Sequence, residues 1–117
     1  MKQNLLKDKS YAFALRIVRL YQHLASEKRE FVLSTQVLRC GTSIGANIEE
    51  AFQGESKSDF IHKLAISNKE AFETHYWLRL LRDSEILEHK IAESLAEDYD
   101  ELQRMLVSAI KTAKSNK

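Results

Sequence analysis

Apolar residues recur at three- and four-residue intervals in four separate stretches of the chain, and short polar segments divide them. That spacing lays one face of an α-helix against a core. In residues 8–26, Tyr11, Ala14, Val18, Tyr21 and Ala25 form one stripe, with Phe13, Ile17, Leu20 and Leu24 beside it. Lys9, Arg16, Arg19 and His23 share the opposite face. Residues 30–53 carry the stripe Leu33, Val37, Gly41, Ile44, Ile48 and Ala51, and Gly54 is placed to end that helix as its C′ residue. Ser56 with Asp59 reads as a capping box for a third helix, 57–82, whose stripe is Phe60, Leu64, Ser67, Ala71, Thr74, Leu78 and Leu81. The fourth, 88–113, repeats Ile91, Leu95, Tyr99, Leu102, Leu106, Ala109 and Ala113. No proline occurs in 117 residues, as suits long helices joined by short turns. The pattern predicts an all-α protein, an antiparallel up-down-up-down four-helix bundle in which residues 1–117 form a single domain.

Charge changes the picture locally rather than overall. The net charge is +1, which gives no general pull toward nucleic acid or membrane. Residues 1–40 nevertheless hold eight Lys/Arg against three acids, and residues 83–101 hold eight acids against Lys90 alone. A basic end and an acidic belt steer partners or pair with each other inside an oligomer; solvated helix faces are the plainer alternative. A single cysteine, Cys40, rules out an internal disulfide and a cysteine-based zinc site. No stretch approaches the roughly 20 apolar residues of a membrane span, and no signal-like run opens the chain. A soluble, cytoplasmic protein without a membrane partner is expected.

The second helix is unusual in its small residues. All three glycines lie in residues 41–54, and Gly41 and Gly45 sit inside the helix, where each costs about 1 kcal/mol relative to alanine. Phe31, Leu38, Gly45 and Phe52 form a second apolar seam. The remaining face carries Gln36, Arg39, Ser43, Ala46, Asn47 and Glu50, short polar groups where the fourth helix carries long charged ones. Gly41 and Gly45 are thus expected where another helix backbone comes close. Opposite the core stripe of the third helix lie Ile66, Tyr76, Trp77 and Leu80, with Glu70 and Glu73 between them. One bundle needs one apolar stripe per helix, so the surplus predicts self-association. The competing placement leaves Trp77 half-buried at the bundle edge. A turn at residues 54–57 makes neighbouring positions of helices two and three sum to about 111. This sets Gly41 against Ser67 and Ala71, and sets Arg39 level with Glu70 and Glu73, within one subunit or across a boundary.

The segments Gln36-x-x-Arg39, Ser43-Ile44-x-x-Asn47-Ile48-x-Glu50 and Lys69-Glu70-Ala71-x-Glu73-Thr74-x-Tyr76-Trp77-Leu78 resemble the family of four-helix-bundle proteins encoded in intervening sequences of bacterial 23S ribosomal RNA genes. The similarity runs over essentially the whole chain, and accessory proteins of diversity-generating retroelements share the fold. Many relatives have glycine directly after the motif glutamate, where this chain has Ala51 and delays its glycine to Gly54. The resemblance implies a ring-shaped homopentamer with no enzymatic activity and, for the retroelement branch, contact with RNA and a reverse transcriptase.

Catalytic chemistry finds little support. Di-iron bundles need Glu-x-x-His on two helices plus two further glutamates; the nearest match is Asp59-x-x-His62, once. Glu70 and Glu73 read as ion-pairing groups, Cys40 as a buried inert thiol, and the four histidines never recur at i, i+4. No metal, cofactor or small-molecule substrate is expected. Two functions remain. One is a self-associating scaffold, with Arg39, Gly41, Ser43, Gly45, Asn47, Glu50, Glu70, Glu73 and Trp77 as oligomer or interhelix contacts. The other is an RNA-binding ring, with a nucleic-acid-processing protein as a further partner, that uses Lys9, Arg16 and Arg19 repeated around the assembly.

Overall fold

The computed structural model describes residues 2–116. Four helices follow one another: α1, Lys2–Glu27; α2, Val32–Ala51; α3, Lys57–Asp83; and α4, His89–Ser115. Each packs on its chain neighbours, and α4 closes back on α1, in a bundle 49 × 21 × 21 Å. α1–α4 is the thinnest seam and α2–α3 the closest. The expected all-α four-helix bundle is the fold observed.

α1 starts at residue 2 rather than 8, because its core stripe continues backward through Ser10 to Leu6, both buried. That stripe is Leu6, Ser10, Phe13, Ile17, Leu20 and Leu24. The Tyr11–Ala14–Val18–Tyr21–Ala25 stripe instead lies on its flank toward α2, and Tyr11 is exposed. In α2, α3 and α4 most expected positions are buried, but Ala92 takes the core place given to Ile91, and Leu33 and Phe60 pack only at the margin.

α2 is shorter than expected at both ends. Arg29, in the left-handed region at φ 55°, turns the chain, and the Glu30 carboxylate accepts from the N–H groups of Val32, Leu33 and Ser34 at 3.1, 2.9 and 2.8 Å. A residue before the helix thus satisfies donors that a first turn otherwise leaves open. Partial burial pushes the Glu30 carboxyl up, and the three backbone donors outweigh it, leaving the group below the ordinary carboxylate range. At the other end α2 stops at Ala51, and Gly54 has no positive φ. Its missing side chain serves a close approach instead: a Cβ there would lie 2.8 Å from the Asp59 carboxylate. Ser56 caps α3 as expected, its Oγ accepting from Asp59 N–H at 3.0 Å.

The end of α3 holds a feature the sequence hides. Ile86 N–H bonds Leu81 C=O and Glu85 N–H bonds Arg82 C=O, at 3.1 and 3.0 Å, the two bonds of a Schellman motif. Glu85 occupies the left-handed position at φ 65°, where glycine is usual. Glu85→Gly is expected to stabilise the protein by about 0.5–1 kcal/mol, since the strained φ is relieved without loss of a contact. Urea titration at fixed protein concentration checks it; an unchanged or lower midpoint would count against the strain.

Four buried hydroxyls sit in the core, all hydrogen-bonded: Ser10 to Lys7 C=O, Ser34 to Glu30 C=O, Thr74 to Glu70 C=O and Ser67 to Ile44 C=O. Ser67 is the one that crosses between helices, donating at 2.7 Å from α3 to the α2 backbone. Only a small side chain lets the helices come close enough for that bond, and it fixes their register at the expected sum of 111.

Candidate interaction surface

The α2–α3 register places Arg39 between two carboxylates of the same chain. Its guanidinium bridges to Glu70 at 3.5 Å, and to Glu73 by a second ion pair. Glu73 also accepts from the Trp77 indole N–H at 3.0 Å. Gln36 joins through its side-chain oxygen at 3.4 Å. Three turns closer to the 54–57 turn, Glu50 meets Lys63 at 2.8 Å. Arg39, Glu70 and Glu73 thus meet within the chain, and Trp77 takes the competing placement, half-buried at the edge of the bundle, where it joins them. Ser43 and Asn47 behave differently. Ser43 Oγ donates to Arg39 C=O and Asn47 Nδ2 to Ser43 C=O, at 2.7 and 2.9 Å, so both bond their own helix rather than α3.

Arg39 is half-exposed, so the pair energies stay small. A double-mutant cycle of Arg39→Ala with Glu73→Ala is expected to give a coupling of about 0.5–1 kcal/mol, and a smaller one with Glu70→Ala. Chemical denaturation of the four proteins in each cycle measures it; additivity in both cycles would show that the arginine spends its time elsewhere.

The glycines correct another expectation. A Cβ on Gly41 would lie 2.9 Å from both Cγ1 and Cγ2 of Ile17, and one on Gly45 would lie 3.3 Å from Ser10 Oγ and 3.4 Å from Ser10 C=O. Both glycines thus admit another helix, as expected, but that helix is α1, and for Gly41 it replaces the expected Ser67–Ala71 section of α3. Close helix approach is achieved twice in α2, by its own glycines on one side and by Ser67 of α3 on the other. Ile17 and Ser10, the other halves of the glycine contacts, carry no signal in a single-helix wheel.

Among the apolar side chains left exposed, two groups stand out. On the outer face of α3, Phe72, Tyr76 and Leu80 are 57%, 47% and 37% exposed, one turn apart, and Tyr76 meets Trp77 edge to face at 5.1 Å. Arg79 lies over the Tyr76 ring. Between α1 and α2, a shallow groove is lined by Ser10, Tyr11 and Ala14 of α1 and Thr42, Gly45, Ala46 and Glu49 of α2. The apolar flank of α1 and the second seam of α2 come together there.

The basic residues of α1 are largely engaged. Arg16 donates to the Asp98 carboxylate at 2.6 Å and to Ser94 Oγ at 3.0 Å, and Lys9 pairs with Glu101 at 2.9 Å. The basic end and the acidic belt thus meet inside one chain and hold the thin α1–α4 seam. Arg19 is exposed and has no ion-pair partner among the described residues. Cys40 is fully buried and burial pushes its thiol up, away from nucleophilic use. His75 stacks on Tyr99 at 4.6 Å, and burial holds its imidazole below the usual range. Among the described residues no group of three or more His, Cys, Asp or Glu is arranged to hold a metal ion, and no helix is long and apolar enough to cross a membrane.

Comparison with known proteins agrees with this architecture. No curated protein matches the chain. A crystal structure from Bacteroides thetaiotaomicron VPI-5482, of a protein with unknown function from the S23 ribosomal protein family, superposes with a TM-score of 0.93 at 54% identity. The match covers 95% of this chain and 99% of that one. Residues 2–108 match the family described as 23S rRNA-intervening sequence protein, with the motif residues of α2 and α3 inside that span. On the bundle, the Arg39 cluster and this match together, the chain belongs to the 23S rRNA-intervening sequence protein family.

Proposed function

We propose that the protein is a non-enzymatic scaffold that works as a homo-oligomer, a ring of five subunits. The observation that carries self-association is the Phe72–Tyr76–Leu80 ridge of α3, exposed although the same helix already buries a full stripe from Leu64 to Leu81. Apolar surface of that kind marks an interface. The number five comes from resemblance to the family alone. The absence of enzymatic activity is supported by what the surface offers, ion pairs and apolar side chains, with the one thiol buried.

X-ray scattering in solution tests it. The single bundle has a Cα radius of gyration of 14.7 Å. Five copies give at least about 25 Å by the scaling of compact proteins. A value near that of the single bundle would remove the proposal.

RNA binding is the second function to weigh, because one stretch of bases has no ion-pair partner among the described residues. Residues 104–116 carry Arg104, Lys111 and Lys114 with no acid, next to the start of α1. With Lys9 and Arg16 engaged, Lys111 and Lys114 are the bases offered to phosphates at that end of the bundle, and Arg19 is a separate base level with the start of α4. Filter binding of structured RNA over a salt series, with Arg19→Glu/Lys111→Glu beside the wild type, decides it. Binding that weakens steeply with salt and falls in the variant supports RNA; equal binding by both, or none at low salt, excludes this surface.

A further inference from the structure

We infer that α4 is a latch: it undocks as a unit from the body formed by α1, α2 and α3, and the charge clasps on α1 set how often it does so. All the contacts concerned lie within one chain, so the latch does not depend on self-association. The three helices of the body are held by close approach. Gly41 and Gly45 bring α2 against α1, where a Cβ would lie 2.9 Å from Ile17 and 3.3 Å from Ser10 Oγ. Ser67 brings α3 against α2 and bonds its backbone at 2.7 Å. Both seams of α4, with α3 and with α1, are looser than α1–α2 and α2–α3. Elements with the fewest packed contacts are the ones that open first.

α4 buries Ala92, Leu95, Tyr99, Leu102 and Leu106, so the docked state dominates. Its polar fastenings lie nearer the surface. On the α3 side His75 stacks on Tyr99, and Gln103 Nε2 donates to Asn68 Oδ1 at 3.2 Å. On the α1 side, the thinnest seam, Arg16 donates to the Asp98 carboxylate, to Ser94 Oγ and to Ser94 C=O at 2.6, 3.0 and 3.3 Å. Lys9 pairs with Glu101 two turns away. The four charged side chains are 36–53% exposed, so salt screens the two pairs and loosens the clasp.

The hinge falls at Glu88. Before it, Leu87 is buried and its N–H bonds Leu81 C=O at 3.0 Å, so the turn stays with α3. Glu88 is extended, at φ −56° and ψ 138°, and its side chain makes no cap hydrogen bond to the first turn of α4. The first turns of α2 and α3 are both capped, by Glu30 and Ser56. An uncapped first turn has less to lose when the helix swings away. Rotation at Glu88 therefore frees α4 without unwinding the end of α3, and it uncovers the apolar stripes of α1 and α3 that α4 overlies.

Native-state hydrogen exchange of the full chain, read peptide by peptide, is the test. In the wild type the middle of α4, residues 95–106, should exchange as a group, at least about tenfold faster than the middle of α1, α2 or α3. Arg16→Gln should speed α4 a further twofold to fivefold or so, the worth of exposed ion pairs. The charge swap Arg16→Asp with Asp98→Arg should recover much of that loss. Added salt should speed α4 in the wild type and have less effect in Arg16→Gln. Ser67→Ala gives a readout that a general loss of stability would not: it weakens α2–α3, which stays closed while α4 is undocked. It should therefore speed exchange in α2 and α3 and leave α4 unchanged. One common rate for all four helices, α1 exchanging ahead of α4, α4 speeding up with α2 and α3 in Ser67→Ala, or no change of α4 in Arg16→Gln would each overturn the latch.

Discussion

Gly41→Leu is expected to lower the stability of the bundle by about 3 kcal/mol or more, at the upper end of what overpacking a core costs. Even the first added carbon has no room. A Cβ at Gly41 falls 2.9 Å from Cγ1 and Cγ2 of Ile17, and Ile17 is fully buried. Those two atoms branch from the β-carbon, which leaves a helical isoleucine essentially one rotamer, so they cannot swing aside. Gly41→Ala separates the two opposing effects. Alanine gains about 1 kcal/mol of helix propensity, yet the overlap is expected to outweigh it and leave a net loss of roughly 1 kcal/mol. Gly45→Ala is the control within the same helix. Its nearest neighbours would be at 3.3–3.5 Å, and the closest is a serine hydroxyl that can rotate. Propensity and crowding then roughly cancel. Thermal and urea unfolding of the three variants at one concentration measure the order. A stabilised Gly41→Ala would mean that α1 yields at this point and that the glycine is there for another reason.

Trp77→Ala carries the second large effect, and it has two parts. Within the subunit the indole packs at the margin of the core and donates its N–H to Glu73. Removing a half-buried ring is expected to cost about 2 kcal/mol, short of the 3–5 kcal/mol typical of a fully buried aromatic. Helicity should be kept. Trp77 also supports Tyr76, whose ring it meets edge to face, so the ridge loses its backing and assembly weakens together with stability. Trp77→Phe separates the parts, since it keeps an aromatic ring behind Tyr76 while losing the hydrogen bond to Glu73 and part of the indole's packing, and Glu73 still holds Arg39. Assembly should survive in Trp77→Phe and fail in Trp77→Ala. Loss of 3–5 kcal/mol with assembly unchanged would place Trp77 in the core alone.

Much of this architecture was legible in the sequence, for reasons that differ from residue to residue. Arg39 was placed against Glu70 and Glu73 because the short turn at residues 54–57 leaves antiparallel helices little freedom of register, and the Ser67 bond to Ile44 C=O confirms that register. Gly41 was assigned to the wrong neighbour for a complementary reason. A helical wheel shows that a residue faces inward, but not whether α1 or α3 lies on that flank, which depends on the hand of the bundle. α1 itself carries two adjacent apolar stripes, and periodicity alone could not say that Phe13 and Ile17 face the core while Tyr11 faces out. Leu6 was lost because the helix start was drawn two residues after it. Glu30, capping α2 from outside, and Glu85, standing where glycine is usual, break the familiar terminal signals and so leave no trace in a motif search. The charge bias was visible at once, but its use was not. Lys9 and Arg16 reach Glu101 and Asp98 across some ninety positions of sequence, in a seam where apolar contact is thin. That pairing turns part of an apparent RNA surface into a structural clasp, and shifts the bases without an ion-pair partner among the described residues to Arg19 and the end of α4.

The proposed self-association rests on the surface that the bundle's own core leaves uncovered. Five chains of 13.5 kDa make an assembly of about 68 kDa. Multi-angle light scattering of the wild-type protein at micromolar concentration, at low and at high salt, tests this most directly. The expected result is a single species of that mass in both, because apolar docking is not screened as surface charge pairs are. A single species at 13.5 kDa would contradict the account, since Phe72, Tyr76 and Leu80 would then stand in water with nothing to cover them.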